Sequence, residues 1–155
     1  MALDFGMDTL FKSEDRDNVG LGKKTKEDYL SIAGTQFMTT AQSTSTVYSN
    51  TKGTIDTNTV TPVVAQVNLP HGCTVTAVIL YGNDAGEQWV LSRTDNSTNG
   101  ASKDDLSAGV FNINQEDIKI DFAQINNRKY RYYIHTTTLE GDIVYGARIT
   151  YNTEL

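Results

Sequence analysis

At 155 residues with 38% apolar content, the chain has the length of one domain that buries about two thirds of the surface its unfolded form exposes. A net charge of −6, with Asp and Glu scattered throughout, removes the electrostatic attraction that non-specific nucleic-acid binding relies on, and the single cysteine, Cys73, rules out an internal disulfide. No stretch approaches the roughly 20 apolar residues of a membrane span, and the acidic start MALDFGMD lacks a basic region leading into an apolar run, so the expectation is a soluble product of the cytoplasm with no membrane or nucleic-acid partner.

Taken in order, Leu3, Phe5, Met7, Leu10 and Phe11 crowd large apolar side chains into a segment interrupted by Gly6 and too short to hold a helix alone. They read either as a frayed chain end or as an arm that becomes ordered by docking on a neighbour, and five large apolar residues in eleven positions favour the arm. Thr25-Lys26-Glu27-Asp28 has the form of a capping box leading into Tyr29, Leu30, Ile32 and Ala33, with Gly34 as the stop, which predicts one short helix. Residues 1–34 are therefore expected to be an N-terminal arm with a short helix, and residues 35–155 a β-sandwich domain. Between Thr35 and Val60 a text rich in Thr, Ser and Asn predicts short edge strands near 36–41, 44–49 and 53–56.

Val63 to Asp84 carries the strongest local signal. Two strand-like runs flank Leu69-Pro70-His71-Gly72, where Pro fixes φ and Gly accepts positive φ, and this predicts a hairpin. In the second run Val75, Ala77, Ile79 and Tyr81 share one face and Thr74, Thr76, Val78 and Leu80 the other. Apolar residues on both faces predict a central strand. Glu87 to Asp95 reads as a half-buried strand with Trp89 in the core, and Asn96 to Asp105 as an exposed loop. Leu106 to Asn114 and Ile118 to Ala123 alternate as two more strands.

Tyr130 to Thr138 and Ile143 to Tyr151 read as a closing hairpin, with Tyr130, Tyr132, Ile134 and Thr136 facing one way and Arg131, Tyr133 and His135 the other. Tyr is favoured in interfaces for its large contact area and polar tip, so Tyr133, beside Arg131 and His135, is a candidate subunit or ligand contact. Eight to ten strands at intervals of roughly ten residues predict a sandwich or barrel, and the expected core includes Val75, Ile79, Trp89, Ile134 and Ile149.

The combination LPHGCTVTAVILYGND, the strand with Trp89, the YRYYI strand and the closing VYGARITY resembles small β-modules of phage and bacterial structural and surface proteins, over residues 60 to 151. The resemblance implies an antiparallel, jelly-roll-like β-sandwich used as a building or display element, and it carries no functional residues over.

For chemistry, His71 and His135 are far apart and lie in no Cys/His array, so neither a metal nor another cofactor is expected. The acidic turns Asn83-Asp84, Lys103-Asp104-Asp105 and Glu116-Asp117 lack calcium-loop spacing and read as solvated turns. Cys73, at a strand start, reads as a small buried hydrophobe. Without a nucleophile motif or a phosphate loop, the chain reads as a non-enzyme. The expected function is that of a structural protein of a viral or phage particle. It would be a capsid decoration, minor capsid or appendage subunit, located in the virion and self-associating as a trimer. Leu3, Phe5, Met7, Leu10, Phe11, Arg131 and Tyr133 would contact copies of itself or other capsid or appendage proteins. The alternative is a carbohydrate-binding or adhesin module at a cell surface, with loops 82–87 and 95–105 on a glycan.

Overall fold

The computed structural model describes residues 22–40, 46–58, 60–84, 86–111, 116–137 and 139–155. They form ten strands: β1 (Thr25–Ala33), β2 (Met38–Thr39), β3 (Thr46–Ser49), β4 (Thr54–Thr57), β5 (Val63–Val67), β6 (Thr74–Gly82), β7 (Gln88–Asp95), β8 (Lys103–Val110), β9 (Tyr130–Thr136) and β10 (Asp142–Glu154). A 3-10 turn, Gly34–Gln36, joins β1 to β2.

All strand pairings are antiparallel and fall into two sheets. One is organised on β10: Val144 faces Gly82 of β6 on one side and Ile55 of β4 on the other, while Gly146 faces Tyr81 and Ala33. β1 and β4 therefore follow one another along the same side of β10, and β3 extends the sheet beyond β4. Gly34 sits at that junction because no other residue fits: a Cβ there would fall on the carbonyl oxygen of Val144 and the backbone of Thr54. The second sheet has the order β2-β5-β9-β7-β8.

The free side of β6 is closed by residues 116–125. Asp117 and Val78 exchange both backbone hydrogen bonds (2.8 and 3.0 Å), Val75 donates to Ala123 and Ile125 to Cys73. The same segment reaches the other sheet, where the Asp121 amide donates to Leu106. With this segment making up the eighth member, the order β4-β10-β6-(116–125) faces β5-β9-β7-β8, and from β4 onward each connection crosses between the sheets except that from β7 to β8, which pair side by side, as in a jelly roll. The expected all-β, jelly-roll-like sandwich is what the chain forms.

The space between the sheets is filled by Phe37, Ile55, Trp89, Leu91, Leu106, Phe111, Ile125, Ile134, Leu139 and Ile149 among others, all fully buried. Trp89 is a core residue, as expected, and its indole N–H is satisfied by the Val110 carbonyl. Ile79 is buried too, but outside this cluster. The β6–β10 register slips between Thr150 and Tyr151, so Val75, Val78 and Leu80 face inward and Ile79 lies on the outer face beside its cross-strand partner Arg148.

Several expectations are corrected. The helix expected over 25–33 is β1. Its partly or fully buried positions are Asp28, Leu30 and Ile32, a period of two, and nine paired residues on β10 outweigh a local capping pattern. These residues are thus bonded into the sheet. The hairpin expected at Leu69–Gly72 is a crossing between sheets, because β5 pairs with β9 and β6 with β10. Buried Leu69 and Cys73 bracket the turn and carry it across the core, and Gly72, at φ +83°, supplies the conformation that the turn closed by Cys73 N–H on Pro70 requires. The expected closing hairpin is likewise a crossing, in which buried Leu139 bridges to Thr61. β6 lies inside its sheet, between β10 and residues 116–125, and is buried on both faces, while β10 is the strand that pairs with the most others. Residues 118–123 form no strand: four-residue spacing on β6 (Thr74 to Val78) faces seven-residue spacing on the segment (Asp117 to Gln124), and the surplus turns out at Asp121-Phe122, where Phe122 has φ +50°.

Candidate functional site

The expected contact residues Leu3, Phe5, Met7, Leu10 and Phe11 lie outside the described residues. Arg131 and Tyr133 are both on the outer face of the β9 sheet. Arg131 is committed: it donates from one terminal nitrogen to the Asp95 carbonyl and from the other to the Thr98 carbonyl, both at 2.9 Å. It thereby pins the turn after β7 to β9, and that turn is further closed by Asp95 accepting from the Ser97 amide and hydroxyl, bonds that hold the Asp95 carboxyl below its usual range. The Tyr133 hydroxyl pairs with Thr94 at 3.2 Å and its ring lies 5.6 Å from that of His135.

These commitments frame a cleft of about 340 Å³ at one end of the sandwich. Its polar lining is Gln66 and Asn68 from the end of β5, Asn96 from the turn after β7, and Asn127 and Arg131 from the start of β9. The loops that carry them are locked together. Asn127 donates its side-chain amide to the Leu69 carbonyl (2.8 Å), Asn96 donates its backbone amide to Lys129 (2.8 Å), and Gly72 donates to Ile125 (2.8 Å). Gln66 donates to the Asn68 side chain at 3.0 Å. Among the described residues no carboxylate lines the cleft, and Arg131 is the one charged group in its lining. The sequence marked the 95–105 loop but gave no sign of the amides, because they come from three connections that only the crossings bring together. Loop 82–87, expected to share a ligand with 95–105, stands at the opposite end of β7, roughly 25 Å away at about 3.3 Å per residue, so one short glycan cannot touch both.

A second grouping, further along the same face, joins Ser92, Asp105 and His135. The Ser92 hydroxyl lies 2.7 Å from Asp105 and 3.1 Å from His135 Nε2. Its single proton goes to the carboxylate, which accepts only, so His135 must donate and cannot take the Ser92 proton. A nucleophile–base pair needs the imidazole between acid and hydroxyl; here the hydroxyl is in the middle and fully buried. Although burial raises the Asp105 carboxyl, the Ser92 and Lys103 bonds outweigh it and hold it below its usual range.

Elsewhere the acidic turns are structural. Asp104 bonds Arg93 (2.9 Å), whose guanidinium is stacked between Phe122 and Tyr130, each 4.0 Å from its centre, and Asp117 accepts from Ser107 (2.6 Å) and from the Ala108 and Lys119 amides. Among the described residues no three His, Cys, Asp or Glu side chains converge on a point a metal could occupy. Burial pushes the Cys73 thiol up to about 11, which leaves it a thiol rather than a nucleophile at neutral pH. No model of a known protein family matches the chain, and no curated protein matches it well enough to count as a relative.

Proposed function

We propose that this protein is a structural subunit of a viral or phage particle, a capsid decoration, minor capsid or appendage component, that self-associates as a trimer. The observation that supports this most is a group of apolar side chains on the outer face of the β10 sheet. Val47 (54% exposed), Ile143 and Tyr145 (44% exposed) line a shallow trough of about 410 Å³ together with Ser49, Lys52, Thr54 and Asp56, and Asp56 stands between Val47 and Ile143 across the sheet. Among the described residues nothing covers these apolar side chains, and exposed apolar groups interspersed with polar ones are in keeping with the mixed composition of a non-obligate subunit contact. Tyr48, which the pleat turns to the other side of edge strand β3, is 47% exposed as well. In this reading Leu3, Phe5, Met7, Leu10 and Phe11 dock on a neighbour, Tyr133 offers a second contact, and Arg131 serves the end cleft instead. The test is oligomeric state and melting with and without residues 1–21: the truncated chain keeps the melting temperature and loses the assembly.

A second reading, a carbohydrate-binding module, is favoured by the end cleft. Side-chain amides carry a donor beside an acceptor, which complements adjacent sugar hydroxyls, and a rigid cleft of this volume is at the lower end of the range for small-ligand sites.

A further inference from the structure

We propose that the end cleft binds a saccharide bearing a carboxylate, with Arg131 reading the acid and Asn68, Asn96 and Asn127 reading hydroxyls; this rests on the carbohydrate-binding reading and names its ligand class. The charge pattern carries it. In a chain of net charge −6, Arg128 and Lys129 of the connection before β9 are followed by Arg131 at the start of β9, and among the described residues the cleft lining has a guanidinium and no carboxylate. The Asp95 carboxylate, which interacts with Lys129 and Arg131, offsets one of these charges, and the remaining excess of positive charge favours anions at this place on an acidic protein. Arg131 spends one N–H of each terminal nitrogen on the Asp95 and Thr98 carbonyls. A guanidinium has five N–H donors, so three remain, and the two bonds already made fix the group against the cleft wall at no further ordering cost on binding.

The amides are similarly half-committed. Asn127 donates to Leu69 and keeps its side-chain oxygen; Asn68 accepts from Gln66 and keeps its side-chain nitrogen. The remaining groups therefore include an acceptor on Asn127 and a donor on Asn68, next in the chain to the Leu69 that Asn127 holds, which suits hydroxyls that both donate and accept. Neither ring of the cleft is open for stacking: Tyr130 has the Arg93 guanidinium at 4.0 Å and the Lys129 ammonium at 5.1 Å from its centre, and Tyr132 is buried in the core. Recognition here is by hydrogen bonds and charge.

The experiment is titration calorimetry of the full chain with two matched pairs, sialyllactose and trigalacturonate, each against its own carboxyl methyl ester. At least one acidic member should bind about tenfold or more tightly than its neutral partner, with the preference shrinking as salt is raised. Arg131→Gln should abolish the preference. Because Arg131 also holds the 95–98 turn, Asn68→Ala provides a variant that leaves that turn alone, and it should weaken both members of the pair equally. Equal binding of acidic and neutral members overturns the acidic class while sparing the carbohydrate-binding reading. Binding of neither overturns both, and an Arg131→Gln protein that keeps the preference overturns the role of Arg131.

Discussion

Burial, reinforced by the Lys103 ammonium, pushes the His135 imidazole below the ordinary histidine range, and the opposing pull of Asp105 does not restore it. The sign of the consequence is fixed by linkage. With the folded value below the unfolded one of about 6.5, the unfolded chain binds the extra proton first as pH falls. Stability from this group is therefore full above about pH 6.5 and is lost on acidification toward the lower folded value. Asp95 and Asp105, both held low, keep their contribution until pH falls below about 4, outside this window. Urea midpoints between pH 7 and 5 should fall in the native protein and fall less in His135→Gln, whose amide can still donate to Ser92; parallel slopes would refute this assignment. Deeper in the fold, Ile134 has no exposure and lies in the core, so Ile134→Ala should cost about 2–5 kcal/mol by chemical denaturation. Ile79→Ala should lie at the lower end, about 2 kcal/mol, since its outer face adjoins the long Arg148 side chain, which can settle into the space. Both residues were legible as buried from alternation alone; that they lie on opposite sides of a sheet was not, because the register slip near Thr150 exchanges the faces of β6.

At the level of elements, the strand-forming text from Val63 to Val67, Thr74 to Gly82, Gln88 to Asp95 and Tyr130 to Thr136 was readable because each run carries its own two-residue period. What sequence could not supply was the partner. A turn of Pro and Gly is the same locally whether the next strand pairs beside the last or crosses to the facing sheet, and only the burial of Leu69 and Cys73 decides for a crossing. The same limit explains β1, where Thr25–Asp28 offers a helix start and the nine-residue pairing with β10 prevails. It also explains the cleft, since Gln66, Asn96 and Asn127 become neighbours only after two crossings. The junction of β1 and β4 along β10 gives this level its test. Gly34→Ala drives a methyl group into the Val144 carbonyl, backbone that cannot swing aside, so it should destabilise by about 1–3 kcal/mol or more in a urea titration; an unchanged midpoint would contradict the close approach.

At the level of the whole molecule, the jelly roll protects one sheet edge and leaves others open. Residues 116–125 cap β6, and β8 presents Lys103, Asp104 and Asp105, charges of the kind that discourage edge pairing. By contrast β3 is short and uncharged, and it borders the group of Val47, Ile143 and Tyr145. An assembling subunit needs one face kept adhesive while the others are blunted, and this asymmetry is the physical content of the proposal. The direct measurement is light scattering of the full chain at high micromolar concentration, repeated on the protein lacking residues 1–21. The account predicts three times the 17.1 kDa chain mass for the full chain and a loss of that assembly, with unchanged melting, for the truncated one. A full chain that stays strictly monomeric at that concentration would contradict it.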